Sequence, residues 1–217
     1  MANYTYLVND IIRTTENDSS EFATAIPDFV NRAEERLTKD LDDYGLVQTT
    51  AVALSATTNV FVLPVGTRII KNLFIEDSGT KINLLQRTDE FINDYWPVSA
   101  STGTPKYYAR KTNTNLLFAP TASATYSGEL VYTARPEALS SASQTNYFSD
   151  FCYDALFYAS MIEATNFMKN FSVTQVYQQQ YDRALQGLQN QARRTRRDDM
   201  QLNASPAGGD NTINGGS

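Results

Sequence analysis

Arginines and carboxylates are the side chains numerous enough in this sequence to do chemistry together. The chain has no histidine and one cysteine, Cys152. Without histidine there is no Ser-His-Asp or Cys-His catalysis, no imidazole metal site and no histidine pH switch. A single thiol forms no intramolecular disulfide and no cysteine-based zinc site. Cys152 sits in an apolar stretch with helical spacing, which predicts a buried thiol. What remains is carboxylate acid–base chemistry and the pairing of anions by arginine.

Of the 24 Asp and Glu residues, the candidate carboxylate set is Glu34, Glu35, Asp40, Asp42 and Asp43, with a second group of Asp89, Glu90 and Asp94. A glycosidase needs two carboxyl groups flanking one bond. The adjacent Glu34 and Glu35 point about 100° apart on a helix and do not flank one bond, so a solvated helix face is the expected role. Asp77-Ser78-Gly79 lacks the other acids of a calcium loop. No glycine-rich phosphate loop is present. The sequence therefore predicts no catalytic residue, no metal ligand and no cofactor.

The arginines concentrate in RRTRRDD, residues 193–199. Arg193, Arg194, Arg196 and Arg197 stand near a predicted helix C-terminus. There they offset the macrodipole, dock an acidic partner surface or bind phosphate. The neighbouring segment favours docking. From Met200 onward the chain is Gly- and Asn-rich and offers little beyond Leu202 and Ile213 to bury. Such a segment offsets its ordering entropy only on a partner. A second candidate surface is aromatic. Tyr95 and Trp96 precede Pro97 and suit either a core anchor or a subunit contact. Tyr107 and Tyr108 alternate on a predicted strand, so one of them faces outward.

These groups need elements to hold them. Tyr4, Leu7, Val8, Ile11 and Ile12 form one apolar helical stripe. The segment NDSS (residues 17–20) breaks it and supplies N-caps. Ile26, Phe29, Val30, Ala33, Leu37 and Leu41 mark a second helix, with Pro27 in its first turn and Gly45 as its stop. The middle of the chain then changes period. VQTTAVAL (47–54), NVFVLP (59–64), RIIKNLFIE (68–76), KINLLQ (81–86), KYYARKT (106–112), NLLFAP (115–120) and YSGELVYTARP (126–136) read as strands. Thr88 caps a short helix over 88–96. Phe148 to Phe167 reads as a central apolar helix capped near Ser149. Ser172 and Gln175 open the last helix with capping-box spacing. That helix runs to about Arg197, roughly 39 Å at 1.5 Å per residue.

The predicted class is α+β. N- and C-terminal helices form a helical bundle, with an inserted small antiparallel β-domain and an extended C-terminal tail. The expected boundaries are 1–46 for the first helices, 47–140 for the β-domain, 141–199 for the completing helices and 200–217 for the arm. At 217 residues the chain has room for one large domain or two small ones. Its net charge of −6 is unlike that of a domain that grips nucleic acid. The 13 Tyr and 11 Phe favour contact surfaces. The start MANYTYLVNDIIR does not read as a signal peptide, and the apolar runs fall short of a membrane span.

Three stretches carry a family resemblance. EFATAIPDFVNRAEERLTKDL (21–41), PKYYARKTNTNLLFAP…YSGELVYTARPEALS (105–140) and DALFYASMIEATNFMKN…VYQQQYDRALQGL with its arginine-rich end occur in an order that resembles head-to-tail adaptor (connector) proteins of tailed phages, mostly short-tailed ones. The resemblance implies a non-enzymatic virion protein, assembled in the host cytoplasm. It implies a homo-oligomeric ring, typically of twelve copies, between the portal protein and the tail nozzle or fibre proteins. Genomic DNA would pass through the ring without sequence-specific binding. By segment, residues 193–217 would dock the portal, and the 88–96 region with the β-loops would face the tail. The alternatives are a carboxylate-dependent peptidoglycan hydrolase, another tail-completion ring protein and a DNA-binding regulator reading through the arginines.

Overall fold

The structure is a computed structural model that describes residues 3–41, 44–56, 58–98 and 100–195. Two helices come first, α1 (Tyr4–Thr15) and α2 (Ser20–Asp40). The strands follow as β1 (Val47–Leu54), β2 (Val60–Val62), β3 (Thr67–Asp77), β4 (Thr80–Asn83) and β5 (Leu85–Gln86). A short helix, α3 (Asp89–Tyr95), precedes β6 (Thr102–Gly103), β7 (Tyr107–Arg110), β8 (Asn115–Ala119), β9 (Thr121–Ala122) and β10 (Tyr126–Ala134). The chain returns to helix in α4 (Tyr147–Phe151), α5 (Tyr153–Phe167) and α6 (Phe171–Thr195). The class is α+β. The chain divides into two compact units, one of residues 1–6 and 44–151, the other of residues 7–43 and 152–217.

The first unit is built from two four-stranded sheets, ordered β1-β10-β3-β4 and β2-β8-β7-β5, with a small β6-β9 pair. Val52, Leu73, Ile75 and Leu130 from one sheet meet Tyr108, Leu116 and Phe118 from the other in a single core. Burying each large apolar side chain stabilises by roughly 1.5–3 kcal/mol. The segment read as one strand over 81–86 is two strands, β4 and β5. Between them lies the buried Leu84, whose N–H donates to Leu73 at 2.9 Å. At that residue the chain leaves β3 and crosses to β7, in parallel. The parallel β5-β7 and β6-β9 pairs depart from the all-antiparallel expectation.

Strand β8 is buried on both faces. Leu116 and Phe118 enter the shared core, while Leu117 and Ala119 on its other face are covered by Ile92 of α3. Its neighbour β7 splits in the same way, with Tyr108 facing in and Ala109 facing α3. Gly128 on β10 is required by its neighbour: a Cβ there would lie 2.1 Å from the Phe74 carbonyl oxygen. Ser78 and Gly79, with φ of 51° and 81°, give the two-residue turn between β3 and β4 the conformation of a type I′ hairpin.

In the second unit α5 packs against α2 and α6. Ala155, Leu156, Ala159, Ser160, Met161, Ile162, Ala164 and Thr165 are all buried, so little of its circumference meets solvent. Phe22 and Phe29 of α2 meet Phe167 of α5 with ring centroids 5.4–6.1 Å apart. Ser19 caps α2 by accepting from the Phe22 N–H.

Four local expectations change. The cap ahead of the central helix is Asn146, whose side chain accepts from the Phe148 and Ser149 N–H groups; Ser149 instead donates its hydroxyl back to the Asn146 carbonyl. The helix also breaks at Cys152, which is buried but carries non-helical φ and ψ of −129° and 28°. The last helix starts at Phe171, one residue early, with Ser172 bonded to the Asn170 side chain. Glu34 is 1 % exposed and so does not lie on a solvated face. It stands four residues after Val30 and four before Thr38, inside the buried arc of α2.

Candidate functional site

Helix α3 exists because Thr88 accepts a hydrogen bond from the Phe91 N–H at 3.2 Å and the Trp96 N–H closes its other end on the Ile92 carbonyl. Ile92 anchors it to the outer face of β7 and β8. That anchoring leaves the remaining aromatic side chains on the surface. Phe91 stacks on Tyr95 with centroids 4.4 Å apart. Tyr107 of β7 lies 5.6 Å from Phe91 and 5.5 Å from Trp96. The Arg87 guanidinium stands 5.6 Å from both the Phe91 and Tyr107 rings, in cation–π range. Leu85, the strand partner of Tyr107, is half exposed beside it.

This assembly is an aromatic platform. Trp96 and Tyr107 are half-buried and hold it in place. Tyr95 is 66 % exposed and Val98 61 % exposed, which leaves rigid apolar area open to a partner. Rigid aromatic area of this kind orders little on binding and so gives much contact for small entropy loss. Tyr108 does not join it. It points into the opposite core, where burial raises its phenol pKa above the ordinary 10.0. Sequence reading found Tyr95, Trp96 and Tyr107 but passed over Arg87 and Phe91. The signal was present for Phe91, which stands four positions before Tyr95 on one face of α3; Arg87 lies ahead of the Thr88 cap, outside the helix, and has no such periodicity.

The arginine cluster is only partly described. Arg193 is exposed on the last turn of α6. Arg194 is helical in its backbone, and its side chain, like Arg196, Arg197, Leu202 and Ile213, lies outside the described residues. The structure does show what fixes the helix that carries the cluster. The Arg36 guanidinium of α2 donates to Glu163 of α5 at 2.7 Å and to Gln178 of α6 at 3.3 Å. The Tyr181 hydroxyl of α6 donates to Asp40 of α2 at 2.7 Å, and Gln189 donates to the Asp40 carbonyl at 3.1 Å. Burial, and then the Asp40 hydrogen bond, push the Tyr181 phenol well above its usual range, so it stays a donor. These bonds fix the azimuth of α6 between Gln178 and Gln189, in a helix about 37 Å long for 25 residues.

The aromatic platform offers exposed, rigid apolar area, whereas most of the arginine cluster lies outside the described residues. Among the described residues no group of three or more His, Cys, Asp or Glu side chains is placed to hold a metal ion. No described helix is long and apolar enough to cross a membrane. A family model described as SU10 adaptor protein matches residues 2–206 of the chain. No curated protein matches it.

Proposed function

The chain belongs to the SU10 adaptor protein family, and from that membership we propose that it forms a ring joining the portal of a phage particle to its tail. The family makes it a structural adaptor of the virion, associated with portal and tail components. The finer reading is that several copies, twelve by resemblance, close a ring around the DNA exit path. In that ring the arginine end of α6 and the residues after it dock the portal. The α3 platform and the β-loops contact the tail or the neighbouring subunit.

The observation that carries this reading is the platform of Tyr95, Phe91, Trp96 and Tyr107. It is braced from below by Ile92 and open above. The network on α6 supports the other half. Arg36, Glu163, Asp40 and Tyr181 hold a long helix at a set angle, which is what a docking arm needs at its base. The net charge of −6 per copy fits a channel that repels DNA phosphates and lets the duplex slide, where acids face the lumen.

The test is reconstitution with the portal protein of the same phage. The intact chain is expected to bind the portal as a closed ring seen by electron microscopy. A chain ending at residue 192 is expected to melt like the parent and fail to bind. Full binding by the truncated chain would refute the arm, and binding as single scattered copies would refute the ring.

A further inference from the structure

At the start of β3 the first unit carries a groove of about 590 Å³, lined among others by Val62, Pro64, Val65, Arg68, Ile69 and Arg110. Its rim is apolar and wet. Val65, in the turn closed by the Thr67 N–H on the Pro64 carbonyl, is fully exposed, and Val62 and Ile69 are 68 % and 52 % exposed. Its floor is cationic. Arg110 donates to the Arg68 carbonyl at 2.8 Å, the Asn113 carbonyl at 3.1 Å and the Thr67 carbonyl at 3.4 Å. All three partners are neutral. Arg110 Nε is buried with no hydrogen-bond partner, and two of the five guanidinium N–H groups are unused. Among the described residues neither aspartate nor glutamate lines the groove, although the chain as a whole is acidic.

A groove with exposed valines and an uncompensated cation fits a narrow segment that brings a carboxylate. The chain has one at the other end of the same strand. The type I′ turn after β3 is two residues wide and is flanked by Asp77 and the exposed Glu76. Strand β3 has 11 residues, so tip and groove lie roughly 33 Å apart at opposite ends of one rigid strand. A chain therefore cannot fill its own groove, whereas a second copy can.

We propose that the β3–β4 hairpin tip of one copy docks in the Val62, Val65, Ile69 and Arg110 groove of the next. The contact is heterologous, so it repeats from copy to copy and closes where the rotation between neighbours permits. It deepens the ring reading and rests on it.

The experiment uses the full chain carrying Val65→Cys and Thr80→Cys together, treated with a short bis-maleimide, both free and bound to the portal. The native Cys152 is buried. A ladder of covalent oligomers is expected from the double variant, a single mixed dimer from an equal mixture of the two single variants, and no dimer from either single variant alone. Adding Asp77→Lys is expected to lower the ladder at least tenfold with an unchanged melting temperature. Homodimers from one single variant, or no ladder, overturn the docking. An unchanged ladder with Asp77→Lys overturns the carboxylate–arginine pairing. A portal-bound ring without a ladder sinks this contact alone, whereas loss of both ring and ladder sinks the ring reading as well.

Discussion

The Tyr181 hydroxyl donates to Asp40 at 2.7 Å from a side chain that is 2 % exposed, while Asp40 itself lies at the surface. The pair joins the end of α2 to the middle of α6 across a sequence separation of 141 residues. Its phenol titrates above the ordinary 10.0 because burial disfavours the phenolate and Asp40 accepts its proton. Below pH 10 both folded and unfolded states keep that proton, and the contribution to stability is whole. Above pH 10 the unfolded chain loses it while the folded chain keeps it, so stability falls as pH rises, by up to about 1.4 kcal/mol per pH unit. Tyr181→Phe is expected to cost about 1 kcal/mol at neutral pH and to flatten this alkaline limb. Urea melts from pH 7 to 11 on parent and variant check it; parallel limbs would remove Tyr181 as the cause.

Gly128 and Gly187 make opposite demands. A methyl group at Gly128 meets the Phe74 carbonyl oxygen and the Ile75 Cα, both backbone, in the middle of a sheet. Gly128→Ala is expected to destabilise by about 3 kcal/mol or more. Gly187 lies exposed in α6 with nothing near the added methyl. Gly187→Ala is expected to stabilise by roughly 0.5–1 kcal/mol through helix propensity. Thermal melts of the two variants give both signs.

Helix α5 ends on a lysine where glycine is usual. Lys169 has φ of 59°, its N–H donates to Asn166, and the Asn170 N–H reaches the Thr165 carbonyl, which is the Schellman arrangement. Lys169→Gly relieves the left-handed strain and is expected to raise stability by about 0.5–1 kcal/mol. A melting temperature that drops in this variant would mean that the lysine side chain contributes more than the strain costs.

The platform gives a functional prediction. Tyr95→Ala removes one stacked, mostly exposed ring, so the fold is expected to lose no more than about 1 kcal/mol. Assembly of tail components on the reconstituted ring is expected to weaken at least tenfold, as for a hot-spot tyrosine. Sedimentation of the reconstituted complex measures it. Wild-type assembly by the variant would move the contact elsewhere.

Much of this was legible in residue pattern. The 2.0 and 3.6 periods located β1 and α3 nearly to the residue, because one face of each is buried; α2 begins at Ser20, so Pro27 stands inside it and not in its first turn, and its C-cap is Leu41 and not Gly45. Thr88 was readable as a cap because its geometry is local. The failures have a common cause. Glu34 sits at a helical position that packing covers, and spacing alone does not separate the edge of a buried arc from a solvated face. The break at Cys152 carries no proline or glycine to announce it. The parallel β5-β7 pair depends on Leu84 being pulled into the core, a contact between strands that no window of sequence contains. At the platform the four-residue spacing of Phe91 and Tyr95 was available, but Arg87 lies ahead of the helix cap and Tyr107 joins them only through the sheet.

Because β8 has no solvent face, it also lacks the freedom that alternation gives an ordinary strand. On most strands every second position tolerates change. On β8 Leu116, Leu117, Phe118 and Ala119 are all committed, two to the sandwich and two to α3. Substitution profiles along it should therefore show a plateau of intolerance with no two-residue rhythm. Change is expected instead at the exposed tips, at Val65, Ser78 and Tyr95, where a substitution does not disturb the frame.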